Sequence, residues 1–355
     1  MAEYFNPYAI NQVTIAGLNE KKQWKMFDIS ELIDGIQYST VLEGQPGKLT
    51  FTLQKDTNPN SLLSIHNGNR IQFTRDKKGI FMGYVFSMGT DATDTYKITC
   101  YDKLRYLKNE ETIYFSGKKV SEVFSELCQI FQLGSYEVVV PCDFVCPEKL
   151  YEGQTLFSIL NDQLTKANIA ANKEGTKPED RKYYFIRDRF GKLELNEIGK
   201  CKTDLIIGEK SLLSSYQFEI SIDKNTYNQI KVVKNDEQNK KRIVKVQPDS
   251  ESQKVWGILQ KVVTADEHMN EEQMREKAKQ LLKAFNRETR TLKLSALGVD
   301  GIYAGSGIRV NIPKLRTKKY VEGKETDAYL DMWVVGATHN YSKGMHTMEL
   351  DVAIP

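Results

Sequence analysis

Two stretches at opposite ends of the chain carry the same order of local signals, and this limits the fold more than any single motif does. Near the front, Gly68-Asn69-Arg70-Ile71-Gln72-Phe73 leads through a turn at Asp76 to Gly79 into Phe81-Met82-Gly83-Tyr84-Val85, and the alternating run Tyr96 to Tyr101 follows. Near the back, Gly307-Ile308-Arg309-Val310-Asn311-Ile312 leads through a charged excursion into Val334-Val335-Gly336-Ala337-Thr338, and His346 to Val352 closes the pattern. Each copy reads as a glycine, a strand carrying Arg, a connection, a strand with one central glycine, and a further strand. Two similar ends present two similar surfaces, which suits assembly better than catalysis. Any two β-meanders share glycines and alternation, so the echo alone leaves coincidence open.

A chain of 355 residues is long enough for two or three domains, each with its own core. Its 50 Lys and Arg against 47 Asp and Glu give a net charge of +3, too even for a dedicated nucleic-acid binder. With 18 Tyr and 15 Phe against 3 Trp, the aromatic content suits β-rich packing and aromatic-bearing interfaces. No apolar run approaches the roughly 20 residues that cross a bilayer, so membrane insertion is not expected. The opening Met-Ala-Glu-Tyr-Phe-Asn-Pro has neither the basic nor the apolar segment of a secretory signal. An odd count of 5 Cys fits free thiols made in a reducing cytoplasm, and any exit from the cell is expected by a route other than secretion.

Short strands separated by turn residues dominate residues 10–109: Val13 to Ile15, Lys48 to Leu53, Arg70 to Thr74, Ile80 to Ser87 and Tyr96 to Tyr101. They suggest a small barrel or sandwich. After Asn109 the period changes. Val120, Val123, Phe124, Leu127, Ile130 and Phe131 fall at helical spacing, with Gly134 placed to end the helix. A second helix carries Leu156, Ile159, Leu160 and Leu164 on one face, and a hairpin turns near Gly191. Residues 110–205 therefore read as a separate small α+β unit. Strands return near Ser211, and one helix over about 270–286 interrupts them. Asn270 and Gln273 form its capping-box pattern; Met274, Ala278, Leu281, Leu282 and Phe285 form its buried stripe. The expected domains are residues 1–109, 110–205 and 206–355.

Chemistry-bearing motifs are sparse. Cys142 and Cys146 form one CxxxC pair with no second pair or nearby His, short of a four-ligand zinc site, and Cys201 could join only through the fold. His339 and His346 have no carboxylate at a diagnostic spacing. Gly305-Ser306-Gly307 lacks the helix that a dinucleotide loop must open. No catalytic, cofactor or metal residues are expected. The basic run from Lys231 to Lys245 reads as a solvated hairpin. The excursion from Lys314 to Asp327 mixes Lys314, Arg316, Lys318, Lys319 and Lys324 with three acids, which suits a mobile loop or a contact with a partner of complementary potential.

The C-terminal third also carries an ordered series: Val255-Trp256-Gly257, Thr264-Ala265-Asp266-Glu267, Ala278-Lys279-Gln280-Leu281-Leu282, Thr291 to Gly298, Ala304 to Val310, and Val335 to Tyr341. In that order it resembles the XkdQ/YqbQ group of baseplate hub proteins of contractile phage tails and phage-tail-like bacteriocins. The resemblance extends over essentially the whole chain. It implies a mainly β, α+β fold: two tail-tube-like β-barrels with an inserted small α+β domain, the helix near 270–286 being an accessory of the second barrel. It further implies a non-enzymatic homotrimer whose six barrels form a pseudo-sixfold ring between the tail tube protein and the central spike. Other baseplate proteins and the tape measure protein are further candidate partners. Such a protein is assembled in the bacterial host cytoplasm and works in the virion or tailocin baseplate. Candidate interface residues on this reading are Arg70, Ile71, Phe73, Arg309, Val310, Ile312, Lys314, Arg316, Lys318 and Lys319. Two alternatives stay open: a tail-tip peptidoglycan-degrading enzyme, and a monomeric envelope-binding module.

Overall fold

The computed structural model describes residues 9–18, 23–54, 65–90, 92, 95–172, 176, 180–223, 225–236, 241–265, 269–315, 319–321, 324–326, 329–342 and 344–353. They form two compact units, Met1–Tyr216 with Lys293–Pro355, and Gln217–Leu292. The first unit opens with seven strands: β1 (Asn11–Leu18), β2 (Trp24–Asp28), β3 (Ile33–Val41), β4 (Lys48–Gln54), β5 (Arg70–Arg75), β6 (Lys78–Thr90) and β7 (Thr95–Tyr101). Their order in the sheet is β2-β1-β5-β6-β7-β4-β3, every neighbour antiparallel. Period-two sequences make this sheet, because alternate side chains reach one face: Leu49, Phe51 and Leu53 of β4 are buried, as are Ile71 and Phe73 of β5. Each such side chain contributes about 1.5–3 kcal/mol by leaving water. Asp76 and Lys77, both at positive φ, form the two-residue turn between β5 and β6.

The α+β insert follows as β8 (Glu110–Phe115), α1 (Val120–Ile130), β9 (Tyr136–Val138), β10 (Lys149–Thr155), α2 (Leu156–Ala171), β11 (Tyr184–Arg189) and β12 (Lys192–Glu197). Its core joins Val120, Val123, Phe124 and Leu127 of α1 to Leu156, Ile159, Leu160 and Leu164 of α2, over Leu193 and Leu195. Ile130, expected on the inner face of α1, is exposed, whereas Leu127 and Cys128 of the same turn are buried and Phe131 packs against the core.

The chain then runs through β13 (Lys202–Gly208) and β14 (Leu213–Ser221). Within the second unit lie β15 (Gln229–Asp236), β16 (Lys241–Pro248), α3 (Ser250–Trp256), β17 (Gln260–Thr264) and α4 (Glu271–Phe285). The three strands pair in the order β16-β15-β17. Ile230, Val232, Met274 and Ala278 form a small core of their own between β15 and α4. The expected helix near 270–286 thus packs inside this unit, with the Asn270–Gln273 capping box formed. The predicted basic hairpin is β15–β16, and its Lys245 pairs with Glu271 of α4.

The chain returns along β18 (Thr289–Leu297), which pairs β14, and ends with β19 (Gly307–Asn311), β20 (Lys319–Val321), β21 (Lys324–Thr326), β22 (Leu330–Ser342) and β23 (Met345–Ala353). The order β13-β19-β22-β23-β18-β14 repeats the front order β1-β5-β6-β7-β4-β3, strand for strand and in the same chain sequence. The departure is β13, parallel to β19 where β1 is antiparallel to β5. Buried rows match as well: Leu49, Phe51 and Leu53 in β4 have counterparts in Leu292, Leu294 and Ala296 of β18. The two halves join where β3 pairs antiparallel with β22, from Ile36 opposite Tyr341 to Val41 opposite Gly336. The insert lies between the halves in sequence, and the second unit occupies the connection that corresponds to the short β3–β4 link. The fold is mainly β, with the α-helices confined to the insert and the second unit among the described residues.

Candidate assembly interface

The sequence echo becomes a structural repeat, but shifted. His66 to Asn69 and Tyr303 to Ser306 form the same turn. Gly68 and Gly305 sit at φ +89° and +90°, where a side chain would be strained. Their amides donate to the Val85 and Val334 carbonyls at 2.7 and 2.8 Å, while the Val85 and Val334 amides donate back to Asn69 and Ser306 at 2.9 Å each. Asn69 Oδ1 accepts the His66 amide at 2.6 Å, and Ser306 Oγ accepts the Tyr303 amide at 3.1 Å. Gly68 therefore corresponds to Gly305 and not to Gly307, and Arg309 corresponds to Gln72 and not to Arg70. A bulge fixes the following strands: it falls between Val85 and Ser87 on β6, and between Val334 and Gly336 on β22. Gly336 corresponds to Ser87, so the two central glycines of the echo are not equivalent.

The candidate interface residues divide by burial. Ile71, Phe73, Val310 and Ile312 point into the core and offer no side chain to a partner. Alternation made them conspicuous, but in a strand with one buried face it is the apolar set that turns inward. Neither strand is an edge: β5 lies between β1 and β6, and β19 between β13 and β22. Arg70 and Lys314 are exposed, and Arg309 is half-buried. Arg70 donates to Met26 Sδ at 3.6 Å. Arg309 faces Asp204 Oδ1 at 3.9 Å, with its guanidinium 5.8 Å from the Tyr329 ring centroid. Lys319 begins β20, which pairs with β21 as a short hairpin; Arg316 and Lys318 lie outside the described residues. Sequence reasoning missed the strand edges that are open. β2, β13 and β14 are each bonded on one side only in the large sheet among the described residues, and alternation carries no signal of which strand ends a sheet.

The titratable clusters serve the fold. His339 and His346 are buried, with His339 Nδ1 2.9 Å from His346 Nε2 and His339 Nε2 2.6 Å from the Ile302 carbonyl. Burial lowers the His339 pKa to about 4 and, together with the His339 and Arg75 charges, that of His346 to about 3. Asp102 is a buried carboxylate that interacts electrostatically with the half-buried Asp188. Asp102 accepts the Gly47 and Leu104 amides, and Asp188 the Lys103 and Gly191 amides. Burial raises both, Asp188 to about 7. Their oxygens are engaged by backbone N–H groups that fasten turns, an arrangement suited to stabilising the junction of front strands and insert. Cys142 and Cys146 belong to the insert core, while Cys201 accepts from Arg187 at 3.5 Å. No group of three or more His, Cys, Asp or Glu able to hold a metal occurs among the described residues.

Comparison with known proteins places this arrangement. The Bacillus subtilis (strain 168) protein YqbQ, described as uncharacterized, is 24% identical over 331 residues, covering 91% of this chain and 94% of its own. The phage-like element PBSX protein XkdQ of the same organism is 22% identical over 329 residues, again covering 91% and 94%. Among solved structures, the 43 kDa tail protein of prophage MuSo2 from Shewanella oneidensis superposes with a TM-score of 0.65 at 11% identity, over 97% of this chain and 98% of that one. At that identity the likeness is one of fold. The family profile described as YQBQ-like matches residues 36–353. The chain belongs to the YQBQ-like family.

Proposed function

We propose that the chain is a structural subunit of a phage-type tail, a baseplate hub without catalytic activity. Three copies form a pseudo-sixfold ring that joins a sixfold tube to a threefold spike. The carrying observation is the internal repeat: six strands in one order, twice, give each chain two equivalent modules, each proposed to curl into a tube-type barrel. A ring needs the same complementary patch at every joint, and a duplicated module supplies six patches from three chains. The PBSX protein XkdQ and the MuSo2 tail protein support the setting by what they are named. The proposed partners are a second copy of the chain, the tail tube protein, the spike, other baseplate proteins and the tape measure protein, in the virion or tailocin baseplate. Arg70, Arg309 and Lys314 supply exposed or half-exposed cations for those contacts, and Arg316, Lys318 and Lys319 are proposed to extend the patch.

Sedimentation of the purified chain, alone and with its spike, tests this reading. A threefold mass is expected; a strict monomer in every mixture overturns it. Zymography tests the absence of catalysis: clearing of peptidoglycan that a single carboxylate substitution abolishes would establish an enzyme instead.

A further inference from the structure

The repeat leaves one joint closed and one open. Within the chain, β3 of the front half lies antiparallel along β22 of the back half at Gly336 to Tyr341. Ile36 and Tyr38 of β3 are only 6% and 4% exposed, and Gly336 and Ala337 of β22 are buried. The counterpart of β3 in the back half is β14, and it is an end strand, bonded to β18 on one side only among the described residues. Its Phe218 and Ile220 are 39% and 50% exposed. The bulge alignment makes Ser87, Met88 and Gly89 of β6 the counterparts of Gly336, Ala337 and Thr338. In the front half these positions are all exposed, Met88 by 36%, and β7 is their one ladder partner among the described residues. The same positions are thus covered in one module and uncovered in the other, on both sides of the joint.

We propose that the outer edge of β14 in one copy of the chain adds antiparallel to β6 at Ser87 to Gly89 in the next copy, repeating between copies the joint that β3 and β22 make within one. The occupant is a second copy because its complement is already present in the chain, solved once by β3 on β22. Strand addition satisfies backbone N–H and C=O groups along both open edges and covers Phe218, Ile220 and Met88. The joint is head-to-tail, since the surface on β14 differs from the surface on β6. Head-to-tail contacts close into a ring or run on as a filament according to the rotation at each joint. Closure after three copies rests on the ring reading above, whereas the strand pairing stands on the repeat.

Single lysines at exposed positions test it without touching the core: Met88→Lys on β6, and Phe218→Lys and Ile220→Lys on β14. Val255→Lys, on the exposed face of α3, is the control. Sedimentation equilibrium is measured across concentration, with circular dichroism to verify folding. Wild type is expected to reach three copies. Each joint substitution is expected to weaken association at least about ten-fold in Kd, since an ammonium at a closed strand joint loses its water, and the control leaves it unchanged. Trimers that all three joint substitutions leave intact overturn the pairing and spare the ring. Wild type that ends at two copies or continues into filaments, with that association lost in all three variants, upholds the pairing and overturns the threefold ring. A wild type monomeric at every concentration, both alone and with its spike, overturns both.

Discussion

A methyl group built on the α-carbon of Gly83 would lie 2.2 Å from the Tyr101 carbonyl oxygen, a backbone atom that cannot swing away. At Gly336 the nearest atom would be Asp351 Oδ2 at 3.2 Å, the free end of a flexible side chain. Gly83→Ala is therefore expected to cost about 1–3 kcal/mol through overpacking, read as a lower urea midpoint, while Gly336→Ala stays near wild type. The buried histidines give a pH prediction. A carbonyl only accepts, so His339 Nε2 donates to Ile302, and in the neutral pair His339 Nδ1 accepts from His346 Nε2–H. His346 Nδ1 then faces Asp300 Oδ1 at 3.6 Å, and Asp300 Oδ2 meets Arg75 Nε at 3.1 Å. Tyr303 and Tyr341 complete the surroundings, with Asp76 and Lys78 acting through Asp300. Both imidazoles have folded values below the unfolded one. Their contribution is present above about pH 6.5 and is lost as pH falls toward about 4, where the unfolded chain binds the protons first. Asp300, raised by burial, has the opposite sign: its contribution is present at low pH and is lost as pH rises through its folded value, so it partly offsets the histidines in acid. Asp102 and Asp188, also raised by burial, share the sign of Asp300 and act alike in both proteins, so between about pH 6.5 and about pH 4 the urea midpoint of wild type is expected to drop relative to that of His346→Phe. A constant difference between the two would contradict the assignment.

At the scale of elements, the paired turns at Gly68 and Gly305 offer a test of equivalence. Asn69→Ala and Ser306→Ala each remove the side-chain acceptor that closes the turn, and each is expected to cost about 1 kcal/mol. A large cost at one and none at the other would mean that the turns share geometry without sharing a role. Most elements were legible in the sequence, because period two and period 3.6 follow directly from which faces are buried: β4, β5, α1, α2 and α4 all fall where the apolar pattern put them. Register was not. A shift of two residues keeps every side chain on its face, so the alternation around Arg70 and Arg309 fits the wrong pairing as well as the right one. Four of the candidate interface residues turn inward for a related reason, as the pattern that marks Ile71, Phe73, Val310 and Ile312 is the pattern of a core. The second unit escaped notice because β14 and β18 read as uninterrupted strands, with nothing in composition to mark a boundary between Tyr216 and Gln217.

At the scale of the whole molecule, two units with separate cores are expected to respond separately. Asn270→Ala removes the α4 capping box at about 1 kcal/mol and should speed amide exchange in α4 and β15 while leaving β6 and β22 unchanged. Acceleration spread over both units would show that they open together. The joint between β3 and β22 has a consequence for synthesis. The Gln37 side chain donates to Asn340, 303 residues later, so the front half cannot finish its sheet until the closing strands have left the ribosome. At ordinary translation speeds that interval is roughly 15–60 s. For that time β3 stands as an unpaired edge on a nascent chain, with Ile36 and Tyr38 waiting for the β22–β23 hairpin. A neighbouring polysome bearing the same message is then the nearest source of a competing strand, so the hairpin that completes the sheet also ends the period in which two unfinished chains can exchange strands.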